Sequence, residues 1–115
     1  MSERALQLAE IIHHELDNYI LREVEWPMGS LGTITDIKVT DDLKIAFVSV
    51  SILPITKTGQ VINLLRRKAK QARHFISPKI NIRQVPELRF IVDEGLLKER
   101  VVERAIENSD DPTLK

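Results

Sequence analysis

Cysteine is absent from the 115 residues. That excludes disulfides and thiolate metal sites, and it fits a reducing compartment. No apolar run approaches the roughly 18 residues that a membrane span needs. The opening residues, MSERALQLAE, are polar and amphipathic and lack the apolar core of a secretory signal. No nucleophile motif, phosphate loop or dinucleotide fingerprint is present. These absences point to a soluble cytoplasmic protein with one core, and nothing in the chain points to an enzyme, a cofactor or a small-molecule substrate. The most informative absence is of acids. From Leu43 to Pro86 there is no Asp or Glu, although the whole chain has 17 acids and 17 bases. That span carries Lys44, Lys57, Arg66, Arg67, Lys68, Lys70, Arg73, Lys79 and Arg83. A net charge of zero therefore hides a basic middle between acidic flanks, as expected for a protein with an anionic partner.

Periodicity supplies the elements. Ser2 is placed to cap a helix. Ala5, Leu8, Ile12, Leu16 and Tyr19 then recur at helical spacing, which predicts a first helix over about 3–23. Pro27 cannot continue it, and WPMGSLG is loop chemistry. TITDIKVT alternates as a strand does, Asp41-Asp42 makes a turn, and LKIAFVSVSIL alternates again, with Ala46, Val48, Val50 and Ile52 on one face. The pair reads as a β-hairpin. A second helix is predicted over about 60–76, ended by Ser77-Pro78. KINIRQ alternates briefly, and ELRFIVD reads as a third strand. GLLKERVVERAIE is weakly helical, and the tail ENSDDPTLK is polar and predicted disordered. The division is a domain over 1–94 followed by a C-terminal segment over 95–115. The order helix, strand, strand, helix, strand implies an α+β domain with helices on one face of a three-stranded sheet.

Two constellations could carry chemistry. Glu10, His13, His14 and Asp17 lie on the first helix, but a carboxylate-bridged metal site needs further carboxylates from other helices. A solvated helix face explains them. Trp26 could stack on a base or cover the end of the core, and Phe47 and Phe90 could face a ligand across the sheet or pack in the core. The stronger signal is RRKAKQAR, Arg66 to Arg73. Stepping through the second helix at 100° per residue puts Asn63, Arg66, Arg67, Lys70, Arg73 and His74 within an arc of about 120°. Val61, Ile62, Leu65, Ala69, Ala72 and Ile76 fall opposite. A solvated face usually mixes signs, because unlike charges four apart stabilise a helix and like charges destabilise it. A phosphate backbone would offset the repulsion within an undiluted basic stripe, a reading favoured over a plain solvated basic face. Lys68 alone points into the apolar arc, so its stem must snorkel past the core edge or the helix must bend near it.

The stretches REVEWP (22–27), TITDIKVTDDLKIAFVSVSI (33–52) and VPELRFIVDE (85–94) resemble the bacterial ribosome-binding factor A family. The resemblance runs from about residue 4 to residue 107. It implies a type II KH-like fold with a kinked second helix. It also implies a non-enzymatic factor that binds the immature small ribosomal subunit and its rRNA late in maturation, during pre-rRNA processing and especially in the cold. The family kinks the helix at an Ala-x-Gly, which aligns here with Lys68-Ala69-Lys70, so this chain lacks the glycine that tolerates unusual backbone angles. The RNA-binding candidates are Arg66, Arg67, Lys68, Lys70, Arg73, Lys79 and Arg83, acting in a monomer with no metal. If about five phosphates are engaged, log affinity falls with log salt at a slope near −3.5 to −4.5. The rival reading is a protein–protein adaptor of the same fold whose basic helix docks an acidic partner.

Overall fold

The computed structural model describes residues 1–93. Helix α1 (Glu3–Glu23) starts where expected, with the Ser2 hydroxyl accepting the Ala5 N–H at 3.1 Å. It stops at Val24, whose backbone is extended while its N–H still bonds the Ile20 carbonyl. Two antiparallel strands follow, β1 (Leu31–Val39) and β2 (Ile45–Leu53). Helix α2 (Thr58–Ile76) comes next, led in by a 3-10 turn at Ile55–Lys57 and followed by another at Ser77–Lys79. Strand β3 (Glu87–Val92) then pairs parallel to β2, giving the sheet order β1-β2-β3. A parallel neighbour needs a long crossover, and α2 provides it. The two helices lie on one sheet face, α1 chiefly over β1 and α2 over β3. This is the expected α+β architecture. KINIRQ forms no strand, and the predicted C-terminal helix and tail lie outside the described residues.

The core is built from two periodicities meeting. Ile12 and Leu16 from α1, Leu65 and Ile76 from α2, and Val39, Val48 and Val50 from the sheet are all almost wholly buried. Each such aliphatic side chain contributes about 1.5–3 kcal/mol on burial. In β1 a strict two-residue alternation cannot bury both Ile34 and Ile37. The strand resolves the conflict with a bulge between Ile34 and Asp36, and both isoleucines are buried. Thr35 is the extra residue, and one residue added to a strand switches every later side chain to the other face.

Trp26 covers the end of this core. A Cβ built on Gly32 would lie 2.9 Å from the tip of its ring, so the indole rests on bare glycine backbone. Phe90 is core, whereas Phe47 faces outward on the helix-free side, with the Arg89 guanidinium 6.0 Å from its ring centre.

Candidate nucleic-acid interface

Helix α2 carries five Lys or Arg residues and no acid. It runs without interruption through Lys68-Ala69-Lys70, so the missing glycine is matched by unbroken helical hydrogen bonding there. Lys68 stays on the flank of the helix and is half-buried. It lies two turns from Phe75 on the same line. Phe75 packs edge-on against Tyr19 of α1, with ring centres 5.3 Å apart. The Lys68 stem therefore runs along the α1 side of the helix, as a snorkelling lysine does.

The basic stripe divides into rows that do different things. Arg66 and Arg73 are seven residues apart, so they stack on one line about 10.5 Å apart at 1.5 Å per residue. Both reach β3. The Arg66 Nε donates to the Phe90 carbonyl at 3.2 Å. Arg73 donates to the Val85 carbonyl from Nε at 2.9 Å and from Nη2 at 2.6 Å. Among the described residues, the Phe90 carbonyl lies on the unpaired edge of the sheet. The Glu87 and Asp93 amides donate to Lys44 and Val50 of the β2 side, so the groups of Leu88, Phe90 and Val92 face away from β2. Arg67 and Lys70 lie on the exposed crest beside His74. Among the described residues neither has a side-chain hydrogen bond or ion pair, and neither does the exposed Arg83.

Lys79 takes a third direction. Its ammonium lies 3.4 Å from the centre of the Phe75 ring and 3.9 Å from the Glu15 carboxylate. It is held at the α1–α2 junction, away from Arg73. Close by, the Tyr19 hydroxyl is buried, and burial followed by the nearby Glu23 charge raises its pKa above the ordinary value. Glu10, His13, His14 and Asp17 are spread along α1, with His13 and Asp17 3.6 Å apart.

Between the C-terminal half of α2 and the chain entering β3 is a cleft of about 250 Å³. Lys70, Arg73, His74, Ser77, Arg83, Gln84 and Val85 line it. Lys70, Arg73 and Arg83 thus converge from two elements on one concave site. Ser77 and Gln84 add polar groups that no periodicity singled out, since both lie outside the regular elements that carry the pattern. Arg73 and His74 also occupy the last turn of α2, where cations offset the exposed carbonyl end of the helix dipole. Part of the basic character there serves the helix itself.

The family model described as Ribosome-binding factor A matches residues 4–106. The Coxiella burnetii Ribosome-binding factor A is 29% identical over 114 residues, covering 96% of each chain. The crystal structure of ribosome-binding factor A from Thermus thermophilus matches with a TM-score of 0.65 at 16% identity, over 76% of this chain and 94% of that one. A homology model of Thermus thermophilus ribosome binding factor A, fitted into the cryo-EM map of a 30S complex with that factor, matches with a TM-score of 0.60 at 17% identity, over 82% of this chain and 96% of that one.

Proposed function

The chain belongs to the ribosome-binding factor A family, and from that premise we propose that it is a non-enzymatic assembly factor of the small ribosomal subunit. In this reading it binds the immature subunit and its rRNA in the cytoplasm, as a monomer, late in maturation and during pre-rRNA processing, with its greatest importance in the cold. One observation carries the proposal. The free cations Lys70, from the crest of α2, and Arg83, from the approach to β3, line one cleft with no acid among its lining residues. Phosphate contacts position a protein without reading sequence, and the crest of Arg67 and Lys70 with Arg83 across the cleft suits that task. The related 30S-bound Thermus protein supports the choice of partner. The acidic flanks oppose indiscriminate coating of RNA by simple repulsion.

Co-sedimentation from a cold-grown lysate tests this directly. The protein is expected to travel with immature small-subunit particles, and Arg67→Glu with Lys70→Glu should release it into the supernatant. If the wild type migrates only away from these particles, the proposal fails. If it pellets but the charge reversals make no difference, the binding surface lies elsewhere. Capture by an acidic protein in RNA-free extract would favour the adaptor reading.

A further inference from the structure

Arg66 and Arg73 belong to the basic stripe, yet their guanidinium groups are already engaged. Arginine has five N–H donors in a fixed fork. Arg73 commits two of them to the Val85 carbonyl, and Arg66 commits one to the Phe90 carbonyl. The two attachments are two helical turns apart, so together they resist both sliding and rotation of α2 over β3. Val85 directly follows Arg83 and Gln84, two residues of the cleft wall. Holding the Val85 carbonyl therefore holds the segment that presents them. Arg66 also places a charge over a carbonyl on the open edge of β3, a device that discourages another strand from pairing there.

We propose that Arg66 and Arg73 are positioning residues that set the cleft by fixing α2 to β3 and to the chain entering it, while Arg67, Lys70 and Arg83 take the phosphates. The assignment rests on the RNA-binding reading above and deepens it. It changes the expected electrostatics. Three phosphate contacts on a single strand give a salt slope near −2, at about 0.7 per contact, where five would give about −3.5.

The test uses the full chain and a short fluorescein-labelled oligo-U RNA, titrated over a range of salt at a temperature where every variant is folded. Arg67→Ala should lower the magnitude of the slope by about 0.7. Arg66→Ala and Arg73→Ala should leave the slope unchanged while weakening affinity about threefold to tenfold, as expected for a displaced cleft wall. Arg73→Lys should recover part of the loss, because an ammonium reaches the same carbonyl without the fork. A slope reduced in Arg73→Ala as much as in Arg67→Ala overturns the proposal, since Arg73 would then be a phosphate ligand. Unchanged affinity and slope also overturn it, leaving a purely structural role. If the wild type shows no affinity for RNA, the RNA reading itself falls. Amide exchange then decides the clamp: faster exchange in Arg73→Ala at Glu87, whose N–H donates to the Lys44 carbonyl at the start of β3, supports it, and unchanged exchange there rejects it.

Discussion

Arg66 and Arg67 are neighbours in the sequence, carry the same charge and lie on the same helix. One donates to a β3 carbonyl at 3.2 Å, and the other has no partner among the described residues. The 100° between successive helical residues is enough to turn one toward the sheet edge and the other toward solvent. A basic stripe is therefore not one surface. On α2, Arg66 attaches the helix to β3 and Arg73 to the chain entering it, Lys68 runs along the α1 side, and Arg67 and Lys70 remain available to a ligand. Lys79, just beyond the helix, is held by Phe75 and Glu15.

Removing the available row should have the largest effect. The triple variant Arg67→Ala, Lys70→Ala, Arg83→Ala should weaken RNA binding by about a hundredfold or more, with a salt slope near zero. Its melting temperature should stay within a couple of degrees of wild type, because exposed substitutions away from special features change stability by about 0.5 kcal/mol or less. Binding isotherms and thermal melts check both halves. Arg73→Ala should invert the pattern. It leaves the Val85 carbonyl without its charged partner, so stability should drop by about 1–2 kcal/mol. For a domain of this size that is a melting temperature lower by roughly 5–10 °C. An unchanged melt would erase the distinction between the two rows.

Smaller effects sharpen the boundary. Lys79→Ala should cost about 0.5 kcal/mol, the low end for a cation over an aromatic ring at a partly exposed site, and should leave the salt slope of RNA binding alone. A lowered slope would return Lys79 to the binding surface. The smallest effect lies away from both helices, in the β1–β2 turn. The Thr40 hydroxyl and then the Lys44 N–H donate to the Asp42 carboxylate and hold its pKa below the ordinary value. A folded-state pKa below the unfolded one adds stability above the unfolded value, and that stability is lost as pH falls through the folded one. Asp42→Asn should therefore cost a little at neutral pH and nothing in strong acid. Melts across this range check the sign.

Much of the fold was legible because apolar spacing is a direct image of what each element buries. The α1 stripe and the Ala46–Ile52 alternation both matched burial in the structure. The bulge at Thr35 was not legible. A period of two broken once looks the same as an imperfect pattern until the register is known. For the site, the helical wheel assigns each cation an angle but not what lies opposite it. Nothing in RRKAKQAR says that β3 runs beside Arg66 and Arg73, because that depends on a strand more than ten residues away. The same holds for Gln84, which reaches the cleft only because the chain turns there. Lys68 was the instructive conflict. Its position in the apolar arc suggested either snorkelling or a bend, and Lys68 is half-buried on a helix whose assignment is unbroken from Thr58 to Ile76.

The most direct test of the central claim is the salt dependence of wild-type binding to a single-stranded fragment of small-subunit rRNA. A slope of log affinity against log salt near −2 is the predicted result, matching three phosphates taken by Arg67, Lys70 and Arg83. A flat response would contradict phosphate binding altogether. A slope of about −3.5 would show that the arginines clamped on β3 bind phosphate as well, and the division of the stripe would fail.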